Sequence, residues 1–431
     1  MKITIHPGPL SGTLRVPSSK SMTHREIIAA ALAEGETEVT GVTWSEDIEA
    51  TVRILSLLGA HIEKKEEEGS ITLSIRGGLK QQEGILHADA GESGSTLRFL
   101  IPLGLASGNH VTYTGHGRLS ERPLTPYYDM FDRKHISYRT KGGLPLEVWG
   151  PLTGGTYELP GGTYELPGGV SSQFFTGLLF ALPLSKEDSI LRSTTPLESK
   201  SYVDMTVDTL SRHGIEIHEK EGGLYEIPGR QRYQKGTFSV EGDYSQAAFW
   251  LTAALSGGAI TLTGLSDTSL QGDKAIVTLL KDMGGHIEKK DGGLTAERSS
   301  LHGITMDAEN VPDLVPAFAA MAAVSEGVTE IIHAGRVRLK ECDRLHAMAV
   351  ELTKLGADIE EKPEGLIIRG KPSLSGGTVS SWNDHRIAMA LASITPRLTG
   401  PLTIEGAESV KKSYPRFWED FRKVGGMVVE A

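Results

Sequence analysis

The stretch Leu58-Gly59-Ala60-His61-Ile62-Glu63-Lys64-Lys65 decides the fold, because altered copies of it recur along the whole chain. In each copy the apolar end of a helix runs into a glycine, and a short strand with alternating residues follows. Glycine after a helix supplies a left-handed cap, and alternation with a period of two is typical of a half-buried strand. The other copies are centred on His135 (a degenerate copy without glycine), Gly214, Gly284, Gly356 and Gly425. They lie about 70 to 80 residues apart.

Every repeat also contains a second apolar helix behind a polar loop. These helices are expected at 21–33, 95–106, 172–182, 244–256, 313–324 and 384–394. Three of them precede Gly242 and three follow it, so the pattern predicts an α/β protein with two pseudo-threefold domains. The alternative is a solenoid that serves as a binding scaffold. Solenoids usually repeat every 20 to 50 residues, so the longer period favours compact domains.

Length, composition and charge restrict the class of protein. A chain of 431 residues is too long for one ordinary core, which again indicates two domains. The strand-like opening from Met1 to Ile5 lacks an apolar or basic leader, which predicts a cytoplasmic protein without a membrane anchor. The single Cys342 excludes an internal disulfide and a multi-cysteine metal site. A net charge of −11 argues against a nucleic-acid partner but permits a local basic cleft.

One segment is a tandem duplication. Gly154 to Pro160 reads Gly-Gly-Thr-Tyr-Glu-Leu-Pro, and the same seven residues follow at once from Gly161 to Pro167. Insertions are tolerated best in surface loops, so we interpret the duplication as lying in such a loop. Its role is left open.

In the first half of the chain, the polar loops before these apolar helices carry side chains that are suited to binding anions. Lys20 begins a helix, where its charge opposes the helix dipole unless an anion is nearby. Ser21 and Arg25 are four residues apart and share a helix face. A solvated first turn, with no ligand, is the alternative for this motif.

Three further motifs of the first half support the same interpretation. Gly94 and Ser95 stand at a helix start, where free N–H groups suit a phosphate or carboxylate. Ser171-Ser172-Gln173 has the same character, although simple capping would explain one of the serines. Arg122 precedes a proline and is therefore extended, so its guanidinium can project. A surface salt bridge is the alternative for this arginine.

The second half has corresponding motifs. Lys340-Glu341-Cys342-Asp343-Arg344 leads into a helix with an apolar stripe, and an ion-pair cluster is the alternative explanation for it. Asp313 and the Asp384-His385-Arg386 motif open helices, and Lys412 precedes another. If the six repeats are equivalent, these loops line one cleft between two domains with cations and helix N-termini. Asp313 and Glu341 would then be the carboxylates available for proton transfer.

Taken together in order, these motifs resemble the 5-enolpyruvylshikimate-3-phosphate synthases, a family of enolpyruvyl transferases, from the first strand to the last helix. The resemblance also rests on Glu121-Arg122-Pro123 and on Ser199 to Tyr202. It implies a two-domain inside-out α/β barrel in which each domain has three βαβαββ units. One domain would comprise 19–238, and the other 1–18 with 239–431. The hinge would lie near 17–19 and 239–242.

The resemblance also implies substrates and residue roles. Shikimate 3-phosphate would be bound by Lys20, Ser21, Arg25, Ser171, Ser172, Gln173, Ser199, Tyr202, Asp313 and Lys340. Phosphoenolpyruvate would be bound by Lys20, Gly94, Arg122, Gln173, Arg344, His385, Arg386 and Lys412. Asp313 would assist deprotonation of the 5-hydroxyl, Glu341 would protonate the methylene carbon, and Lys20 would stabilise charge on the bridging or leaving oxygen. The reaction would pass through a tetrahedral intermediate in a monomeric enzyme without metal or cofactor.

Departures from the family pattern leave some points open. Glu92 stands where Asn is frequent, Phe99 where Pro is frequent, and Arg336 where some members have Asn against the shikimate ring. Arg336 is therefore not assigned to the site, and inhibitor sensitivity is not predicted. The nearest rival is the UDP-N-acetylglucosamine enolpyruvyl transferase of the same fold. Its mobile-loop cysteine has no counterpart between Gly115 and Pro123. A non-catalytic anion-binding protein would need no pair of proton-transfer carboxylates.

Overall fold

A computed structural model describes residues 1–67, 70–159, 171–290 and 292–430 of the protein. The chain divides into two compact units. We call Lys20–Val240 the inserted unit, and Met1–Ser19 together with Glu241–Ala431 the split unit. Each unit has its own apolar core.

The inserted unit contains three βαβαββ repeats in its described residues. The first consists of β14 (Thr237–Ser239), α1 (Lys20–Leu32), β3 (Gly35–Val42), α2 (Glu46–Leu57), β4 (His61–Glu67) and β5 (Ser70–Gly77). The second consists of β6 (Ile85–Asp89), α3 (Gly94–Ala106), β7 (His110–Thr114), α4 (Thr125–Lys134), β8 (Ser137–Arg139) and β9 (Leu146–Trp149). The third consists of β10 (Gly155–Leu159), α5 (Gln173–Ala181), β11 (Ser189–Ser193), α6 (Lys200–Arg212), β12 (His218–Lys220) and β13 (Leu224–Ile227).

The split unit repeats the same pattern three times in its described part. The first repeat consists of β2 (Leu10–Arg15), α7 (Tyr244–Gly257), β15 (Gly258–Thr263), α8 (Ala275–Asp282), β16 (His286–Lys290) and β17 (Gly293–Glu297). The second consists of β18 (Thr305–Asp307), α9 (Val315–Ala323), β19 (Val328–Ile332), α10 (Arg344–Lys354), β20 (Asp358–Lys362) and β21 (Gly365–Arg369). The third consists of β22 (Gly377–Ser380), α11 (His385–Ser393), β23 (Leu402–Glu405), α12 (Phe417–Lys423), β24 (Met427–Glu430) and β1 (Lys2–His6).

Each repeat folds into one four-stranded sheet. Its first two strands are parallel, as β6 and β7 are, and its last two run antiparallel to their neighbours. Remote segments complete some of these sheets. Strand β14 pairs with β3, β2 pairs with β15, and β1 lies between β23 and β24.

In the described chain the first helix of each repeat lies inside and the sheets lie outside. We call these helices the inner helices: α1, α3, α5, α7, α9 and α11. Every residue of α9 and α11 is buried, and so is almost all of α7, because these helices are apolar on nearly every face. The outer strands β16 and β20 instead expose Lys and Glu side chains. Charges on exposed edge strands discourage pairing with another chain. The inside-out arrangement predicted from the sequence is therefore confirmed.

The predicted caps follow the second helix of each repeat, which is α2, α4, α6, α8, α10 or α12. Gly59, Gly214, Gly284, Gly356 and Gly425 all have φ between +75° and +108°, and the degenerate copy has His135 at φ +55°. Five inner helices begin within one residue of the predicted start. The sixth begins two residues late, at Val315, because a 3-10 helix over Pro312–Leu314 precedes it.

The duplicated heptapeptide is only partly described. Within its first copy, Gly155–Leu159 forms β10 and pairs in parallel with β11. The interpretation of this copy as a surface loop was wrong, because it supplies the edge strand of a sheet. The second copy, 161–167, lies outside the described residues.

Candidate active site

In the inserted unit, the first predicted cation has a partner within the protein. The Lys20 ammonium at the start of α1 lies 2.7 Å from Asp47 Oδ2, close to the start of α2. This carboxylate offsets the unfavourable position of a cation at a helix N-terminus. A cation in this position needs an anion nearby, and Asp47 supplies one.

Arg25 connects the starts of two helices. Its side chain is almost fully buried and donates to the carbonyl of Ser21 (2.7 Å), the carbonyl of Tyr202 (2.7 Å) and the hydroxyl of Thr206 (2.9 Å). Burial lowers the pKa of Arg25 to about 10, with Tyr202 partly opposing the shift. Ser199, which precedes α6, adopts a left-handed φ of 52°. This conformation is costly for a residue other than glycine and is common at functional sites.

Gly94, Arg122 and Gln173 lie together at the start of α3. A Cβ atom on Gly94 would lie 2.8 Å from Arg122 Nη1 and 3.5 Å from Gln173 Oε1. Two hydrogen bonds hold the side chain of Gln173. Its amide nitrogen donates to Ser95 Oγ at 2.9 Å, and its Oε1 accepts from Arg98 Nη1 at 2.7 Å. Three of the residues expected to bind phosphoenolpyruvate are thus brought together within this unit.

Arg98 is a member of this group that the sequence argument did not assign. Burial, followed by the like charge of Arg122, lowers the pKa of Arg98 to about 9. Two neighbouring guanidinium groups favour a bound anion. The available signal was the spacing, since Arg98 follows Gly94 by four residues and shares its helix face.

The serines before α5 serve partly as local structure. Ser171 Oγ accepts from the backbone N–H of Gln173 at 3.3 Å. Ser172 is buried and immediately precedes α5, without a side-chain cap bond. Capping therefore accounts for one of the two hydroxyls.

In the split unit, Arg344 is the centre of a buried carboxylate cluster. Its side chain is 1% exposed, and its three nitrogens donate to Asp384 Oδ2 (2.8 Å), Asp313 Oδ1 (2.9 Å) and Glu341 Oε2 (2.7 Å). Burial alone would lower the pKa of Arg344, but the three carboxylates raise it well above its usual value. The two proposed proton-transfer residues are thus held by one guanidinium.

Asp313 also contacts the neighbouring cations. Arg386 Nη2 donates to Asp313 Oδ2 at 3.1 Å, and Lys340 Nζ lies 3.6 Å from Asp313 Oδ1. Burial by itself would raise the pKa of Asp313. Arg386, Lys340 and Arg344 outweigh that effect and hold the pKa well below its usual value. Asp313 is therefore ionised at neutral pH.

The remaining residues expected at the site surround the start of α11. Asp384 caps this helix by accepting from the Arg386 N–H at 2.8 Å, and His385 Nδ1 lies 3.7 Å from Asp384 Oδ1. Lys412 Nζ donates to the carbonyl of Asn383 at 2.7 Å. The preceding turn is strained, because Trp382 and Asn383 both have φ of 54°.

Arg336 was not assigned to the site, and its positive charge is among those that lower the pKa of Lys340. Its guanidinium donates to the backbone carbonyl of Glu309. In the described residues, no group of three or more His, Cys, Asp or Glu side chains is placed to hold a metal ion. No helix of the described chain is long and apolar enough to span a bilayer.

Asp273 is a further carboxyl that the sequence argument missed. It lies in the 3-10 helix Gly272–Lys274 and is buried. Burial, followed by the negative charge of Asp313, raises the pKa of Asp273 from 3.8 to about 7. The opposing charges are Arg386 and Lys340, and Asp243 adds to the rise.

We expect Asp273→Asn to stabilise the protein more at pH 8 than at pH 5. Between about pH 4 and pH 7 Asp273 ionises in the unfolded chain but stays protonated in the folded protein, because its folded-state pKa is raised. The free energy of unfolding therefore falls over this range and stays at the lower value above it. Asn removes this loss. Thermal unfolding at both pH values measures the effect, with the exposed Asp267→Asn as control. Equal gains at pH 5 and pH 8 would contradict the expectation.

Comparisons with known proteins agree with one another. A family model described as EPSP synthase (3-phosphoshikimate 1-carboxyvinyltransferase) matches residues 5–421. A 3-phosphoshikimate 1-carboxyvinyltransferase from Clostridium kluyveri is 49% identical over 99% of this chain and 98% of its own. The protein of the same name from Clostridium acetobutylicum is 47% identical over 99% of this chain and 98% of its own. A solved EPSP synthase structure from Acinetobacter baumannii superposes with a TM-score of 0.80 at 29% identity, covering 100% of both chains.

Proposed function

The chain belongs to the EPSP synthase family, whose reaction is enolpyruvyl transfer from phosphoenolpyruvate to shikimate 3-phosphate, and on this premise we propose which of its residues carry out each step. The reaction belongs to the shikimate pathway of aromatic amino acid biosynthesis. The observation that carries the assignment is the buried cluster in which Arg344 holds Asp313 and Glu341. The rival that acts on a UDP-sugar and the non-catalytic binding protein are set aside by the family match. A cytoplasmic location and a monomeric state remain predictions.

Glu341, in its protonated form, gives a proton to the methylene carbon of phosphoenolpyruvate, which leaves a cationic centre at C2. The 5-hydroxyl of shikimate 3-phosphate then adds to C2, and a tetrahedral intermediate forms. In the second half, the methyl group returns a proton to Glu341 as the C2–O bond to phosphate breaks. One carboxyl thus acts as acid and then as base, as general catalysis requires of a reversible proton carrier.

Asp313 receives the proton of the 5-hydroxyl and later releases it through solvent to the departing phosphate, which restores the carboxylate. Its lowered pKa makes it a weak base for a free alcohol. A hydroxyl oxygen that bonds to a cationic carbon becomes strongly acidic, however, so a weak base suffices once the C–O bond begins to form. The contacts with Arg344 and Arg386 keep this carboxylate ionised and oriented before the reaction.

Cations and hydroxyls bind the two anionic substrates. Support for the shikimate 3-phosphate site comes from the convergence of Ser21, Tyr202 and Thr206 on Arg25. Support for the phosphoenolpyruvate-binding residues of the inserted unit comes from the contacts among Gly94, Arg122, Gln173 and Arg98. For those of the split unit, it comes from the burial of the side chains of His385, Arg386 and Lys412. Lys20 balances charge on the leaving oxygen.

The substrate assignment is tested by phosphate release. Phosphoenolpyruvate is supplied with shikimate 3-phosphate, with unphosphorylated shikimate or with UDP-N-acetylglucosamine. We expect rapid release only with shikimate 3-phosphate. Release with the UDP-sugar, or with no acceptor preference, would overturn the assignment.

We expect Gly94→Ala to raise the KM for phosphoenolpyruvate by about 10-fold, the equivalent of one displaced charged hydrogen bond. The added methyl would lie 2.8 Å from Arg122 Nη1 and must displace that guanidinium. The fold is retained because the displaced atom is the end of a flexible side chain. Steady-state kinetics measure the change. In the control Gly400→Ala, the nearest atom lies 3.6 Å away, so its KM is unchanged. A wild-type KM in Gly94→Ala would contradict the proposed site.

A further inference from the structure

The proposed acid Glu341 lies on a short connection between a 3-10 helix and α10. An ion pair between Arg338 and Asp343 links the two ends of this connection. A 3-10 helix over Gly335–Leu339 leads into Lys340 and Glu341, and α10 begins at Arg344. Arg338 Nη1 donates to both oxygens of Asp343, at 3.0 and 2.9 Å. Both proposed functional residues, Lys340 and Glu341, lie between the two ends of this ion pair.

Asp343 also fixes the helix that follows. Its Oδ1 accepts from the backbone N–H of His346 at 3.0 Å and thereby caps α10. A cap of this kind stabilises the first turn by about 1 kcal/mol. The Arg338–Asp343 pair therefore joins the connection to the rigid start of α10, from which Arg344 reaches Glu341.

The same guanidinium is anchored to the turn between β20 and β21. Arg338 Nη1 donates to Glu361 Oε1 at 2.6 Å, and the other nitrogens donate to the carbonyls of Lys362 (2.6 Å) and Pro363 (3.0 Å). The side chain is only 21% exposed. An arginine fork with this many fixed partners has one orientation, which a lysine cannot reproduce.

The turn also holds the far end of the 3-10 helix. The N–H of Ala334 donates to the carbonyl of Glu364 at 2.8 Å, and the N–H of Gly335 donates to Glu364 Oε2 at 3.2 Å. A Cβ atom on Gly335 would lie within 2.4 Å of both carboxylate oxygens of Glu364, so glycine permits this close approach. The connection is thus supported at both ends by one sheet.

We propose that Arg338 is a positioning residue for the enolpyruvyl transfer, which sets the backbone of the Lys340–Glu341 connection at the distance that proton delivery requires. The proposal rests on the function proposed above for Glu341. Arg344 orients the carboxylate of Glu341, whereas Arg338 fixes the backbone from which that carboxylate projects. Misplacement of a catalytic group by about 1 Å can lower a rate about 100-fold, which gives such a support a large effect.

The test compares Arg338→Met and Arg338→Lys with the wild-type enzyme. We expect kcat of the Met variant to fall by about 10- to 100-fold, with both KM values within about threefold. Solvent exchange of the methylene hydrogens of phosphoenolpyruvate falls in parallel, because Glu341 performs that exchange. The Lys variant keeps the charge and one contact, so its kcat is intermediate. All rates are measured well below the melting temperature of each variant and are referred to folded protein.

A matched control is available on the same sheet. Arg369 pairs with Asp358 at 3.6 Å and is half exposed, so Arg369→Met keeps the wild-type kcat. Should Arg338→Met fail to fold, Glu361→Gln removes one charged anchor of the guanidinium, together with the contact of Glu361 with His346. It lowers kcat by about two- to fivefold, the equivalent of one partly exposed ion pair.

The possible results separate the two proposals. Wild-type kcat and exchange in Arg338→Met, or in Glu361→Gln where Arg338→Met does not fold, together with an inactive Glu341→Gln, would overturn the positioning role alone. Active Glu341→Gln would instead overturn the proposed chemistry. A fall in melting temperature without a fall in kcat would show that Arg338 serves stability only and would also overturn the positioning role.

Discussion

Glu341→Gln is expected to lower turnover by about 100-fold or more while the affinity for shikimate 3-phosphate stays close to that of the wild type. Glutamine keeps the shape of the side chain and can still contact the Arg344 guanidinium, 2.7 Å away in the native protein. It cannot deliver a proton to the methylene carbon or take it back. Exchange of the methylene hydrogens with solvent therefore falls with turnover, and proton NMR measures both.

Lys340→Met provides the comparison. Lys340 is adjacent to Glu341 and lies 3.6 Å from Asp313. It does not take part in the proposed proton transfer to carbon. Its removal is expected to weaken acceptor binding more than it lowers exchange. If Glu341 only pairs with Arg344, Glu341→Gln lowers the melting temperature and leaves the exchange intact. That result would exclude Glu341 as the acid.

Arg344→Met is expected to cause the largest loss of stability. The substitution removes the guanidinium shared by Asp313, Glu341 and the fully buried Asp384. Removing one partner of a buried ion pair costs about 3 to 5 kcal/mol. For a unit of this size, the loss corresponds to a decrease in melting temperature of about 10 °C. Activity falls as well, because the two proton carriers lose their common support. Calorimetry or circular dichroism measures the unfolding.

An exposed ion pair serves as the control for this substitution. Arg416 lies 3.0 Å from Glu419, three residues away, and both side chains are largely exposed. Surface pairs of this type contribute about 0 to 1 kcal/mol, so Arg416→Met leaves the unfolding temperature nearly unchanged. Equal melting temperatures for Arg344→Met and Arg416→Met would contradict the interpretation of the buried cluster.

Local signals account for what the sequence predicted well. The glycine caps at Gly59 and Gly356 depend on backbone conformation within one turn, and the apolar inner helices depend on composition within one segment. Because these signals recur, a repeat with a weak signal, such as the copy near His135 that lacks the glycine, is recognised from its alignment with the others. The motifs at the helix starts were found for the same reason, since each is contiguous in the chain.

Pairings between remote segments could not be predicted in the same way. The partner of Lys20 is Asp47, the partner of Gln173 is Arg98, and the raised pKa of Asp273 depends on Asp313, which lies forty residues away. Each of these contacts is set by how separate helices pack, within a repeat for Lys20 and between repeats for the others, and no residue pattern within one segment encodes it. Arg338 was overlooked because its partners include backbone carbonyls of a distant turn.

The placement of β1 between two strands from the end of the chain has a consequence for protein synthesis. The inserted unit is complete once β14 has left the ribosome, whereas β1 must wait for β23 and β24 at the other end of the chain. At about 5 to 20 residues per second, translation from Glu241 to Glu430 takes roughly 10 to 40 s. During that interval the apolar side chains of Ile3 and Ile5 have no sheet to enter. The residues that emerge first are therefore among the last to reach their native positions.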